Sequence, residues 1–500
     1  MNNANYSKAI GDNQLTPITS LWMHSLMTDS EIVEALVEKY GSPINLHHIP
    51  SFRINITAYQ EVFERFGIDG QIYFARKANK SKSLVKAALE YGIGVDTASY
   101  RELEQALTLG GTPENIVLTA AVKNEALIRL ATENQVPVIL DNLDELQLAN
   151  QLAREMNRTC TIGIRLSGFQ VRDKKLYSRF GFDIERDLYN LKVWFADKST
   201  FPNLKLTGFH FHLDGYSIEE RGEAALQTLK VIQDFRQQGN IVKFMDIGGG
   251  ILMNYLESKI EWELFQQNLK SAVLGKSEPI TFNNNGLGFE LNPNKSEVRG
   301  KLQTYPYYNE TNGVEFLSQT LSYQDEEGKS VAELVEQANI QFRIEPGRSL
   351  LNKAGITVAK VAHRKRDSNG DWLVSLEMNM SQLKSSSADF LLDPYIIYKT
   401  EIETTEPVNL YFTGAYCLEQ DVLLKRKLTF PSLPSRGDNV IFVNTAGYMM
   451  HFYETEAHLF DLSQNLFIEE DNETFEIDAI ADDANVMAEK IGPKERAITQ

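Results

Sequence analysis

Lys77 is the residue whose type and position most directly suggest chemistry. It closes QIYFARKAN (71–79), a run of apolar and β-branched residues that predicts a buried strand. Burying an ammonium group is costly, so we expect the pKa of Lys77 to fall. A lysine of lowered pKa is the nucleophile that Schiff-base chemistry requires. The alternative is a lysine whose side chain reaches solvent past the end of the strand.

Two glycine-containing segments suggest an anion site. DIGGG (246–250) ends a later apolar run, and its successive glycines allow backbone N–H groups to approach an anion closely. EPGR (345–348) ends another such run and adds Arg348 beside a Pro-Gly turn. Loops after the last strands of a barrel often bind phosphate. The two segments together predict one phosphate site, whereas DIGGG alone fits a flexible turn equally well.

Glu345, His210 and His212 are the other candidates. A carboxylate next to a phosphate site is repelled unless it has a cationic partner, such as a pyridinium nitrogen or an arginine inside the barrel. His210 and His212, at i and i+2 of a predicted strand, face the same side. They suit either a metal ion or a flat cofactor ring. The sequence offers no third ligand at a convincing spacing, so we predict no metal.

The elements that must position these residues alternate between strands and helices. Eight such βα units predict a parallel sheet, closed into a (β/α)₈ barrel or left open and doubly wound. The barrel is favoured because candidate residues follow nearly every strand, and strand ends converge only in a barrel. The predicted strands are 71–79, 92–99, 115–120, 136–142, 161–167, 204–213, 242–250 and 340–346.

The rhythm changes after Arg348, where strand-like segments alternate with turns and predict an antiparallel β-domain. We therefore expect three parts. Residues 1–45 pack with the β-domain, 46–350 form the barrel, and 351–500 form the β-domain and a polar tail. Within the barrel, 253–338 is a long insertion, typical of a lid or a partner surface.

Composition excludes several classes of protein. The 500-residue chain has a formal net charge of −18 and a pI near 5.1, which opposes nucleic acid and anionic membranes as partners. Only two cysteines occur, so a disulfide scaffold is excluded and a reducing compartment is indicated. With no signal-like or membrane-spanning run, we expect a cytoplasmic enzyme.

Seven motifs in order carry a resemblance to a known family. Together they closely resemble the fold type III pyridoxal-phosphate decarboxylases, the group that includes diaminopimelate, ornithine and arginine decarboxylases. The resemblance runs from about Tyr73 to Tyr453 and implies an alanine-racemase-like barrel with a β-domain. The motifs are ARKAN, VDTAS (95–99), HFHLDGYS (210–217), DIGGG, EPGRSLL (345–351), YCLEQD (416–421) and AGY (446–448).

The resemblance implies a role for each matched residue. Lys77 would bond covalently to pyridoxal phosphate, His212 would stack on its ring, and Glu345 would pair with the ring nitrogen. Racemases of this fold place an arginine at that nitrogen, so Glu345 favours decarboxylation over racemisation. The phosphate would be held by Gly248, Gly249, Gly250, Arg348 and Tyr448.

Further roles concern the surroundings of the lysine and a second subunit. Asp96 and Arg165 match positions that support the lysine. Cys417 would return a proton to the α-carbon after CO₂ leaves. In the family this cysteine reaches into the partner's site, which implies a homodimer with shared active sites.

Departures from the family pattern concern the substrate. Arg348, Leu418, Asp421 and Asp393 are the candidate substrate-binding residues. Leu418 stands where the family has an acidic residue, and Asp393 stands where diaminopimelate enzymes have an arginine, so it would not bind a distal carboxylate. We therefore expect a divergent branch acting on a diaminopimelate-like or other amino acid, in a specialised pathway such as siderophore formation. The alternatives are a racemase of this fold and a non-catalytic regulatory homologue.

Overall fold

The computed structural model describes residues 5–294, 296–385, 390–400, 406–469 and 475–478. Eight parallel strands form a closed barrel, because the first strand pairs with both the second and the eighth. The predicted barrel and its eight strand positions are confirmed. The strands, β1 to β8, are Gly70–Ala75, Gly94–Thr97, Ile116–Leu118, Val138–Leu140, Cys160–Ser167, Leu204–Phe211, Phe244–Asp246 and Gln341–Ile344.

Helices alternate with the barrel strands and also flank them. Many begin at side-chain caps; Ser81, Ser99 and Asn124, for example, each accept a backbone N–H from the first turn that follows. No helix of the described residues is long and apolar enough to cross a membrane. The helices, α1 to α12, are Leu21–Thr28, Ser30–Tyr40, Ile49–Phe66, Lys82–Glu90, Tyr100–Thr108, Glu125–Glu133, Leu143–Glu155, Leu188–Ala196, Ile218–Gln237, Lys259–Val273, Gly313–Leu321 and Val331–Ala338.

The barrel interior is packed rather than open. Tyr73, Val117, Ile139 and Phe244 form a separate buried cluster inside it. The main core lies between the barrel strands and the helices around them, each of which buries one face there. This packing gives a firm base for the polar side chains that leave the carboxyl ends of the strands.

The second sheet has ten strands and is mostly antiparallel, as predicted. Two of its pairs are parallel: Trp372–Leu376 with Val408–Thr413, and Ile44–His48 with Gln464–Ile468. The sequence analysis missed several of its short strands, which lack a clear alternation. The remaining strands are Tyr6–Lys8, Gly355–Arg366, Tyr395–Ile397, Leu428–Phe430, Asn439–Val443 and Glu476–Ile477.

The N-terminal segment contributes strands to this sheet. Tyr6–Lys8 pairs with Tyr395–Ile397, and Ile44–His48 pairs with the start of Gly355–Arg366. The β-domain thus combines both ends of the chain. The tail at 481–500 lies outside the described residues.

The long segment 253–338 divides into two parts. Residues 253–307 contribute Trp262, Phe265 and Tyr307 to the core of the β-domain. Helices α11 and α12 instead pack on α9, on the outside of the barrel. The first part therefore ties the two domains together, and the second completes the ring of barrel helices.

Candidate active site

Lys77 lies at the carboxyl end of β1. The strand ends at Ala75, two residues earlier than Lys77, and a single 3₁₀ turn at Arg76–Ala78 carries the lysine. Its Nζ donates a hydrogen bond of 2.7 Å to Oδ2 of Asp96 on β2. Desolvation favours the neutral amine, but the negative charges of Asp96 and Glu345 outweigh it and raise the pKa of Lys77. The predicted fall in this pKa is therefore wrong.

Glu345 follows β8 and is 2% exposed. Its Oε1 has no hydrogen-bond partner among the described residues. His210 Nε2 lies 3.2 Å from this oxygen but is not aligned for a hydrogen bond. Burial raises the pKa of Glu345, although Lys77 and Arg165 oppose the rise. A buried carboxylate oxygen without a partner is costly, so this position suits a cationic ligand group.

Asp246 is a neighbour that the sequence analysis did not single out. Its carboxylate, with His210 and Glu345, brings three ligand-type atoms within 4.8 Å of one another. The sequence analysis found no third ligand near His210, because the three residues lie on or just after three different strands and are far apart in the chain. Asp246 Oδ1 also accepts the N–H of Gly248 at 2.9 Å, so it orients the first glycine of DIGGG.

His212 and Arg165 lie beside these carboxylates. His212 comes just after β6, and burial lowers its pKa well below the ordinary value, so its ring is neutral. Arg165, on β5, donates to the carbonyl oxygen of Thr119 at 2.6 Å. The hydroxyl of Thr119 in turn donates to Asp96. The predicted supports of Lys77 thus form one hydrogen-bonded group.

A cleft of about 270 Å³ opens next to this group. Its lining includes His212, Gly250, Arg348 and Tyr448, four of the predicted cofactor-binding residues. The glycines leave no room for side chains: a Cβ on Gly249 would lie 2.6 Å from the carbonyl oxygen of Glu345. The structure therefore brings the phosphate candidates together at one end of the site.

Gly248 offers a direct test of this cradle. Its φ is +68°, and a Cβ there would lie 2.8 Å from His212 Nδ1. Because the added methyl displaces His212 and the loop, we expect Gly248→Ala to weaken cofactor binding by about tenfold or more. Gly92→Ala is the matched control: its φ is +73°, but no atom of the described residues lies within 4 Å of the new methyl. Equal cofactor affinities for the two variants, by fluorescence titration, would contradict the cradle.

Tyrosines surround Arg348, and of these the sequence analysis anticipated only Tyr448. The guanidinium lies 4.3 Å from the ring centre of Tyr305 and 5.2 Å from that of Tyr448. Tyr305 belongs to the 253–307 segment and packs edge-on against Tyr216. The segment therefore supplies one wall beside Arg348. No local motif signals this, because the tyrosines are far apart in the chain.

Arg221 is a second unanticipated residue. This arginine of α9 is 1% exposed and donates to the carbonyl oxygens of Gly215 and Gly250. It thereby ties the loop after β6 to the glycine loop after β7. An arginine on an amphipathic helix usually lies on the solvated face, so no sequence pattern indicates the burial of Arg221.

Four predicted residues of the β-domain, unlike Tyr448, do not line the cleft in this chain. Cys417 is exposed, and Leu418 is 53% exposed. Asp421 accepts backbone N–H groups of Met380 and Tyr416 and so shapes its own loop. Asp393 is buried in an ion pair with Arg426 and accepts the N–H of Leu15, which fixes it in the β-domain.

The comparison with known families matches this geometry. Residues 51–280 match the model of the pyridoxal-binding domain of the pyridoxal-dependent decarboxylases. Over this segment the chain is similar to the pyridoxal-binding domain of that family. Its cofactor is pyridoxal phosphate.

Relatives of this decarboxylase cover most of its length. An uncharacterized protein, y4yA, of Sinorhizobium fredii is 29% identical over 87% of this chain and 89% of its own. Diaminopimelate decarboxylase of Staphylococcus aureus is 24% identical over 85% and 88%. The structure of the Helicobacter pylori diaminopimelate decarboxylase with L-lysine is 19% identical, with a TM-score of 0.63 over 89% and 95%. That structural likeness shows a shared fold.

The residues present fit pyridoxal phosphate. Lys77 offers an amine, and the unpartnered oxygen of buried Glu345 offers an acceptor for a protonated ring nitrogen. The glycines after β7 leave a surface that any Cβ would fill, beside the cationic Arg348. An amine, an acceptor and an anion cradle are the three features that this cofactor needs.

Proposed function

We propose that this decarboxylase removes the α-carboxyl group of an amino acid as CO₂ beside Lys77. The observation that carries the proposal is Glu345, a buried carboxyl with an unpartnered oxygen at the strand end next to the lysine. A carboxylate there favours the protonated form of the cofactor's ring nitrogen. A protonated ring withdraws electrons from the α-carbon more strongly. An arginine at this place would instead favour racemisation.

Each residue of the site has a part in this reaction. When bound, pyridoxal phosphate supplies the sink for the electron pair left at the α-carbon as CO₂ departs. Lys77 supplies the amine that holds the cofactor, and Asp96 orients that amine. The neutral ring of His212 would pack against the cofactor, and Arg348 with the glycine loop would hold the phosphate in the cleft that they line. Glu345 would keep the proton on the ring nitrogen.

The proton that replaces CO₂ is proposed to come from Cys417 of a second subunit. The cysteine is exposed in this chain and lies outside the cleft lining of the described residues. Exposed apolar residues, including Leu418 and Leu459, lie in the same region and in the neighbouring 452–462 segment. A surface of this kind suits a partner. A homodimer in which each subunit completes the other's site accounts for both observations.

Mixed dimers test this sharing. Lys77→Ala and Cys417→Ala are each expected to be nearly inactive. When the two are co-expressed or refolded together, half of the dimers carry one intact site, so activity should recover to about a quarter of wild type. Mixing Lys77→Ala with Lys77→Arg is the matched control and should give no recovery. Absence of recovery in the first mixture would contradict shared sites.

The substrate is proposed to differ from plain diaminopimelate and plain ornithine at its distal end. Asp393 is already paired with Arg426, and Leu418 is apolar, so neither offers a charged group of the family's usual kind. A specialised pathway, such as siderophore formation, is proposed on the same ground. A screen for CO₂ release across basic, acidic and carboxylated amino acids tests the function. Racemisation without CO₂ release, followed in deuterated water, would contradict decarboxylation.

A further inference from the structure

Lys123 is a buried cation outside the cleft lining. It lies between β3 and α6, and its side chain is 0% exposed. Its Nζ donates to Asp141 Oδ1 at 3.1 Å and to Glu145 Oε2 at 2.9 Å. A fully buried ammonium needs such partners, because desolvation alone would make it too costly.

The contacts continue from these acids to the cofactor lysine. Asp141 Oδ1 lies 3.4 Å from Nε of Arg165, which also donates to the carbonyl oxygen of Thr119. The hydroxyl of Thr119 donates to Asp96, and Asp96 accepts from Lys77. One connected group therefore runs from Lys123 to Lys77, through residues on or just after the five strands β1 to β5.

The charges in this group balance. Lys123 and Arg165 face Asp141 and Glu145, two cations against two anions. Arg165 touches Asp141 on one side and Thr119 on the other, so its position depends on how much negative charge Asp141 presents. Electrostatic forces of this kind act strongly where water is absent.

We infer that Lys123 is a positioning residue of the cofactor site. By neutralising Asp141 and Glu145, it leaves Arg165 in place beside Thr119, whose hydroxyl donates to Asp96, and so sets the electrostatic environment of Lys77. This inference rests on the proposed function of the site. It goes further by giving a role to a residue that contacts neither the cleft nor the lysine.

Charge variants separate this role from simple packing. Lys123→Met leaves one extra negative charge that draws Arg165 toward Asp141 and away from Thr119. Glu145→Gln leaves one extra positive charge while its side-chain oxygen still accepts the N–H of Asp141. The double variant restores the charge balance but keeps the altered packing at both positions. The other groups facing Lys77, namely Glu345 and Tyr448, are unchanged.

The readout is the pH midpoint of the visible absorbance of the cofactor-loaded protein, which reports protonation at Lys77. We expect the midpoint to rise by about half a unit in Lys123→Met and to fall by a similar amount in Glu145→Gln. In the double variant it should return to within about 0.2 units of wild type. If Lys123→Met does not fold, the test is whether the pH midpoint of Glu145→Gln falls as expected.

Two results would overturn the inference. The first is a double variant that shifts as much as Lys123→Met, which indicates packing rather than charge. The second is an unchanged midpoint in folded Glu145→Gln. A wild-type protein with no visible absorbance after loading would instead overturn the assigned cofactor site.

Discussion

Glu345→Gln is expected to lower the rate of CO₂ release by about a hundredfold to a thousandfold. Glutamine has nearly the same shape but carries no negative charge, so it cannot hold a proton on the ring nitrogen. Because Lys77 and the glycine cradle remain, the variant should still bind the cofactor and keep its visible absorbance. The two effects are measured by single-turnover CO₂ release and by absorbance of the loaded protein.

Asp246→Asn is the matched control for Glu345→Gln. Burial, reinforced by the negative charge of Glu345, raises the pKa of Asp246 well above its ordinary value. A raised pKa favours the neutral acid, whose shape asparagine reproduces, and asparagine can still accept the N–H of Gly248. We expect this variant to retain its rate within about threefold. A Glu345→Gln variant as active as Asp246→Asn would contradict the role of Glu345.

Lys77→Ala is expected to abolish the visible absorbance of the loaded protein and to lower CO₂ release by at least about a thousandfold. The variant removes the only amine that Asp96 orients in the described site. A small primary amine added to the buffer should restore part of the activity, because it supplies the missing nitrogen without the tether.

Lys80→Ala is the control for Lys77→Ala. Lys80 is exposed and lies three residues later in the same loop. Its loss should leave both absorbance and rate within about twofold of wild type. If Lys77→Ala bound the cofactor and kept the absorbance like Lys80→Ala, another amine would have to be the attachment point.

The barrel could be predicted from the sequence because each of its strands is a short branched run followed by an amphipathic helix. That rhythm reflects burial on both faces, which a parallel sheet imposes. The β-domain was predicted less completely. Tyr395–Ile397 and Ile44–His48 are short, buried on both sides, and pair with segments far away in the chain. Local periodicity carries no information on such pairing.

The candidate site was predictable where residues follow barrel strands directly. Glu345, Lys77 and Asp96 lie at the carboxyl ends of the neighbouring strands β8, β1 and β2. Arg165 lies on β5, and closure of the barrel brings it into the same group. The pKa of Lys77 was not predictable, since it depends on how close the carboxylate of Asp96 comes. The pKa is raised because Lys77 Nζ lies 2.7 Å from Asp96 Oδ2, and the spacing of the two residues in the sequence does not reveal this contact.

Residues contributed by packing between distant segments were not predictable. Tyr305 reaches Arg348 from the 253–307 segment, and Arg221 reaches the glycine loop from α9. Lys123 was also missed, because a lysine before a helix usually lies in solvent. Its burial becomes evident only when Asp141 and Glu145 are placed around it.

The attachment of the cofactor to Lys77 is tested most directly by trapping it. The loaded protein is reduced with borohydride, digested, and its peptides are sequenced by mass spectrometry. We expect one pyridoxyl-phosphate group, on Lys77, in the wild-type protein, and none at this position in Lys77→Ala. A label on any other lysine, with Lys77 unmodified, would contradict the assignment of the site.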